Sequence, residues 1–157
     1  MAVIQPTRPG VATGGGDVRR ILVPVDPEGY SGAALAQAVS LCTAMTGQIR
    51  VVHVRIFDPP LRSCGRFYPQ SSQQATDLLE QAVTTAWAGG ARASGVVVEA
   101  QRTQVAQAIS AAARDWNAGL IVMGHRPRRE ITKMLCGSVA DLVMREVECP
   151  VQVVRPR

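Results

Sequence analysis

The residues of this chain whose types and spacing can do chemistry are concentrated between Gly124 and Ser138, in the segment GHRPRREITKMLCGS. It starts with a glycine closing an apolar run, passes through a basic loop with His125, Arg126, Arg128, Arg129 and Lys133, and ends on Gly137 and Ser138 where a helical pattern begins. This order suits an anion. The N–H groups of a helix N-terminus have no intrahelical partner, the helix dipole favours negative charge there, and glycine lets a phosphate approach the backbone. A polyanion such as a nucleoside triphosphate is the expected guest. The plain alternative is a solvated basic surface, from whose charge Glu130 subtracts. Ser138 would be a nucleophile only beside a base, and helix capping already explains it.

Four further positions invite a chemical reading. Asp26 closes the run ILVPVD and is the only carboxylate at its end, so it can accept from a ribose hydroxyl or an adenine amino group, or serve a loop N–H as a turn residue. His125 can donate to a phosphate, against the commoner case of an exposed loop histidine with no role. His53 reads as a satisfied strand residue, although nothing in the sequence supplies its partner. Cys64, between Arg62 and Arg66, has cations that can lower a thiol pKa, although loop cysteines are usually incidental. The cysteines Cys42, Cys64, Cys136 and Cys149 form no C-x-x-C pair, so the expectation is reduced, individually buried thiols and neither zinc nor a disulfide framework. No general base stands beside the basic loop and no acidic pair offers itself to magnesium, so hydrolysis is expected to be slow at most.

The elements that must position these residues belong to one domain, because 157 residues match the roughly 100 to 200 of a single unit. A hydrophobic share of 46% with 18% charged residues supplies a core and argues against disorder. The net charge is 17 − 12 = +5, and since Arg8 and Asp17 cancel within the first seventeen residues, the excess sits in the folded part and suggests anionic partners. No apolar run nears the ~18 residues of a membrane span and no signal-peptide order is present, so a soluble cytoplasmic protein is expected. Residues 1–17, with Pro6, Pro9 and Gly14 to Gly16, read as a flexible tail, and residues 18–157 as the domain. The triple glycine precedes the first strand and lacks a Lys-Ser/Thr ending, which favours a linker over a phosphate loop.

From Arg19 onward short apolar runs alternate with segments of helical period. Strands are expected at Ile21 to Asp26, Ile49 to Ile56, around Val96 to Ala100 after Gly95, at Leu120 to Met123, and at Cys149 to Val154. Pro24 should end pairing close to Asp26, since proline donates no ladder hydrogen bond. Ser31 should cap a first helix with the stripe Leu35, Ala38, Val39, Cys42 and Met45, stopped by Gly47. The clearest helix carries Ala75, Leu78, Leu79, Ala82, Val83, Ala86 and Trp87. A third carries Val105, Ala108, Ile109, Ala112 and Trp116 and should end at Gly119. The fourth starts at Gly137 and Ser138, with Ser138 and Asp141 as a capping pair and Val139, Leu142, Val143 and Val147 as its stripe. This alternation means an α/β, three-layer sandwich, a mostly parallel open sheet with helices on both faces. Ligands of such sheets bind beyond the carboxyl ends of the strands, here Asp26, Val54 and Gly124.

The run ILVPVD before a Ser-led, Ala-rich helix, VVHV at the second strand, GLIVMG, and GSVADLVMREVECPVQVV at the end together resemble the universal stress proteins of the UspA type, over residues 19 to 155. The resemblance implies a five-stranded sheet of order 3-2-1-4-5. It also implies binding of ATP or a related adenine nucleotide, with Mg only if a triphosphate is bound. By the same resemblance Asp26 would contact the nucleoside, Pro24, Val25 and Val54 would line the adenine site, and Gly124, Gly137, Ser138 and Val139 would hold ribose and phosphates. The nucleotide-binding members carry G-x2-G-x9-G-S/T after the fourth strand, and Gly124, Gly137 and Ser138 match that spacing. Pro127 stands where the second glycine belongs. It fixes φ near −65° and has no N–H, so binding suffers if that glycine uses a positive φ or donates to a phosphate. Arg126, Arg128, Arg129 and Lys133 can compensate by pairing with phosphates.

Two function classes compete within this resemblance: a nucleotide-binding stress or signalling protein, and an interaction module that has lost its ligand. An ATP pyrophosphatase would need a Ser-Gly-Gly-x-Asp-Ser loop where this chain has DPEGYS, and a phospho-accepting receiver would need an acidic pair where Asp26 stands alone. Nucleic-acid binding has charge on its side but no aromatic platform, with aromatics only 4% of residues. An apolar last strand at the sheet edge invites pairing with its equal, so a homodimer through residues 149–154 is expected, as in many members of that family, besides an unknown protein partner.

Overall fold

A computed structural model of the protein describes residues 17–59, 65–125 and 139–155. The elements run β1 (Arg20–Val25), α1 (Gly32–Ala44), β2 (Gln48–Phe57), α2 (Ser72–Ala88), β3 (Ala93–Gln101), a single 3-10 turn (Arg102–Gln104), α3 (Val105–Asp115), β4 (Leu120–Gly124), α4 (Val139–Glu146) and β5 (Val151–Val154). The sheet has the order β3-β2-β1-β4-β5 and all four pairings are parallel. Parallel strands need crossovers, and burying both faces of the sheet requires helices on each side.

Strand alternation divides the core in two. Ile21, Val23, Val25, Ile49 and Val51 face α1 and α2, whereas Leu22, Val52, Ile121 and Met123 face α3 and α4. Ile21, Leu22, Ile49 and Ile121 are buried to 1% exposure or less, each worth about 1.5–3 kcal/mol of transfer from water. The helix stripes dock on these faces: Leu35, Ala38 and Cys42 of α1 with Leu79, Ala82, Val83 and Ala86 of α2 on one side, Ile109 and Ala113 of α3 with Val143 of α4 on the other. Ser71 opens α2 with a reciprocal capping box to Gln74, which satisfies two otherwise orphan N–H donors.

Several local expectations are corrected. The hydroxyl of Ser31 does not cap α1; it accepts the Asp26 N–H at 3.3 Å, so the side chain is spent on the preceding turn. Trp87 is 52% exposed although its spacing continues the α2 stripe, because its indole N–H reaches across to the Ala93 carbonyl at 2.9 Å. Helix α3 ends at Asp115, short of Gly119: Trp116 is its C-cap, and Asn117 beyond it has φ 57°, the left-handed conformation that asparagine tolerates just past a helix end. Gly95 lies inside β3, and β5 starts two residues after Cys149. Val139 opens α4 at 40% exposure, one turn before the fully buried Val143. The expected pairing of Ser138 with Asp141 lies outside the described residues.

Candidate functional site

The order of the sheet reverses at β1, which has β2 on one side and β4 on the other. All six residues of β1 pair with β2, from Arg20↔Gln48 to Val25↔His53, but the register with β4 covers only Ile21↔Leu120 and Leu22↔Ile121. Pro24, which has no N–H, stands where pairing with β4 has already ended. The expected break is therefore real but one-sided. It falls at the switch point of the sheet, and open parallel sheets take their ligands in the crevice beyond the carboxyl ends of the strands at such a point.

The turn after β1 is built by its own side chains. Asp26, half-buried, accepts the Glu28 N–H at 2.8 Å through Oδ1, as the turn reading anticipated, while its own N–H goes to Ser31. Gly29 adopts φ +83°, a conformation L side chains rarely take. The turn then folds back onto β4. A Cβ placed on Gly124 would stand 2.7 Å from the Tyr30 carbonyl carbon and 3.2 Å from the Ser31 nitrogen, so glycine is required there by the backbone packed on it. Asp26 and Gly124, distant in sequence, are thus joined through Tyr30 and Ser31.

Around this joint the other expected residues are distributed unevenly. Pro24 and Val54 are half-buried, and Val54 packs on the α3–α4 side. Val25 is 7% exposed and belongs to the α1–α2 core, because neighbouring strand residues face opposite ways. His125 is half-buried and its N–H donates to the Val154 carbonyl at 2.7 Å, which ties the start of its loop to β5. Val139 opens α4 on the far side of the loop. Arg126, Pro127, Gly137 and Ser138 lie outside the described residues, as do Cys64 and Cys136.

A polar constellation that runs from the buried His53 out to the exposed Glu99, at the carboxyl ends of β2 and β3, was not legible as such. His53 is 2% exposed; its Nδ1 meets the Val25 carbonyl at 3.0 Å and its Nε2 the side-chain oxygen of Gln70 at 2.7 Å. Arg55 donates to the Gln70 carbonyl at 3.0 Å and to Glu99 at 2.9 Å, and the Tyr68 hydroxyl donates to Glu99 at 2.8 Å. Its Cζ lies 3.8 Å from the Tyr68 ring centroid. The stretch 65–71 is thereby moored over the carboxyl ends of β2 and β3, helped by the Asp58–Phe67 bridge. The hydrogen bond from Tyr68, then that from Arg55, holds the Glu99 carboxyl below the usual carboxylate range. The available signal was the polar positions Arg50, His53 and Arg55 interrupting an apolar strand. Cys42, 2% exposed, and the half-buried Cys149 have thiol pKa values pushed up by burial, which leaves them unreactive.

Several solved structures share this fold. A universal stress protein family member from Burkholderia pseudomallei has a TM-score of 0.66 at 23% identity, over 87% of this chain and 96% of that one. A universal stress protein solved in complex with cAMP gives 0.68 at 22% identity, over 88% and 97%. One from Archaeoglobus fulgidus in complex with dAMP gives 0.63 at 23% identity, over 85% and 95%. No curated protein sequence matches the chain. The profile of the Universal stress protein family matches residues 17–155, from the turn before β1 to the residue after β5. With the switch point at β1, the Asp26–Gly124 joint and this match in place, the chain belongs to the universal stress protein family.

Proposed function

We propose that this protein binds an adenine nucleotide, ATP or AMP, in the crevice between β1 and β4, and acts as a dimeric cytoplasmic stress-response or signalling protein without metabolic catalysis. The observation that carries this reading is the early end of β1–β4 pairing at Leu22↔Ile121, with Asp26 and Gly124 brought together at its rim. Asp26 keeps one carboxylate oxygen beyond its bond to Glu28 for a ribose hydroxyl or adenine amino group. Pro24 and Val54 offer apolar contact to a base; Val25, turned into the α1–α2 core, contributes through its backbone. Gly124, His125, Arg126, Gly137, Ser138 and Val139 surround the ribose and phosphates, and Mg accompanies a triphosphate only. The cAMP and dAMP complexes of two proteins of the same fold support the choice of an adenine nucleotide. Among the described residues, no helix is long and apolar enough to cross a membrane.

Dimerisation through residues 149–154 is supported by the edge position of β5 and by Val153, 37% exposed. Light scattering at micromolar concentration should give twice the chain mass; a monomer would sink this part of the reading.

Pro127 and the engagement of Asp26 by Glu28 favour one competing reading, a dimeric interaction module that has lost its ligand. Calorimetric titration of the natural protein and of Pro127→Gly with ATP and AMP separates the two. Micromolar binding by the natural protein is expected. Silence rescued by Pro127→Gly assigns the chain to the interaction module, and silence in both removes the nucleotide altogether.

A further inference from the structure

At the amino-terminal end of the sheet, away from Asp26 and Gly124, two arginines share one aromatic ring and have no carboxylate partner among the described residues. Arg20 opens β1, and Arg50 of β2 stands in register with Leu22, so both belong to the α3–α4 face. Their Cζ atoms lie 4.8 and 5.1 Å from the ring centroid of Trp116, which follows the last turn of α3. Among the described residues the ion pairs are Arg19–Asp17, Arg55–Glu99 and Arg66–Glu99, and none includes Arg20 or Arg50. Asp17 is near enough to feel the charge of Arg20, but both its oxygens are taken by Arg19. Asp115, next to Trp116, is exposed and pairs with neither.

The donors of this pair are incompletely used. Arg50 Nε donates to the Ser94 hydroxyl at 3.3 Å, while the Nε of Arg20 is buried with no acceptor among the described residues. Burial, and then the charge of Arg20, hold the Arg50 guanidinium below its ordinary pKa. Two half-buried like charges and a stranded donor are unfavourable unless an anion completes the arrangement.

We propose that Arg20, Arg50 and Ser94 form a second binding site, for a small phosphate-type oxyanion, either inorganic phosphate or a phosphate monoester. Guanidinium forks match phosphate oxygens bidentately, and stacking on Trp116 orients them without consuming N–H donors. The Ser94 hydroxyl accepts from Arg50, so its own hydrogen is available to the anion. Trp116 is 7% exposed and has no free ring face for a nucleobase, which favours a small anion over a nucleic acid. The six residues of β1, at about 3.3 Å each, set this site roughly 20 Å from Asp26, so it goes beyond the crevice reading and does not depend on it.

Trp116 is the natural reporter. The chain has two tryptophans, and Trp87→Phe leaves Trp116 as the only tryptophan, whose emission is separated from that of the two tyrosines by selective excitation. Titration with inorganic phosphate, and separately with glycerol 3-phosphate, at constant ionic strength held with chloride should give a saturable change in emission for at least one of them. A response to the monoester alone assigns the site to phosphate esters, and a response to both to the free anion as well. Arg50→Gln should weaken binding at least tenfold. If that variant fails to fold, Arg50→Lys, which keeps the charge and loses the fork, should show the same direction of change. Emission that follows phosphate no differently from chloride, or a response unaltered in every folded Arg50 variant, overturns the site.

Discussion

The backbone of Tyr30 lies directly against Gly124, so that the turn after the first strand and the end of the fourth form a single joint at the switch point of the sheet. A side chain at position 124 meets backbone, which cannot swing aside as a flexible side chain would. Gly124→Ala is therefore expected to destabilise the fold by about 1–3 kcal/mol, the usual cost of overpacking, and to loosen the Asp26 turn. Urea denaturation measures the first effect. An unchanged midpoint would mean that the turn is free to move away.

His53 moors the segment 65–71 to the carboxyl end of β1. In His53→Ala the Val25 carbonyl and the Gln70 side chain lose their partner in a buried setting, with an expected cost of about 1–3 kcal/mol. Amide hydrogen exchange should quicken first in residues 65–71, before the strands respond. Uniform quickening across the sheet would contradict a local mooring role.

Glu99 gives the pH dependence its sign. Its carboxyl is lowered in the folded chain by Tyr68 and Arg55, so its contribution is complete above the pKa of the unfolded chain and is lost as pH falls through the lower folded value. The group is exposed, and the loss should stay below about 1 kcal/mol. Denaturation of the natural protein and of Glu99→Gln between neutral and acid pH tests this. The two stabilities should converge at low pH; a gap that persists there points to packing of the side chain.

Periodicity carries far in this chain and then stops at identifiable places. The apolar runs of β1 and β4 and the stripes of α1 and α2 are long enough that only one class of structure buries them, so the α/β layering, the helix count in the described residues and the identity of the core were legible. The spacing of Trp87 was equally regular, yet its indole left the stripe because a carbonyl on β3, invisible to a local pattern, gave its N–H a partner. Ser31 failed as a cap for the same kind of reason: the Asp26 N–H competed for its hydroxyl.

By itself the sequence determined the greater part of the core, though not the exposure of Trp87 and Val139, and that a glycine, an aspartate and a basic loop follow apolar strand runs, because these depend on local order along the chain. Only the tertiary structure decided that Gly124 answers to Tyr30, that Val25 and Val54 face opposite sides of the sheet, that His53 finds Gln70, and that Arg20 and Arg50 meet over Trp116. Each of these joins residues from different elements, and the physical terms that settle them, steric contact, hydrogen-bond competition and uncompensated charge, exist only once the elements have packed.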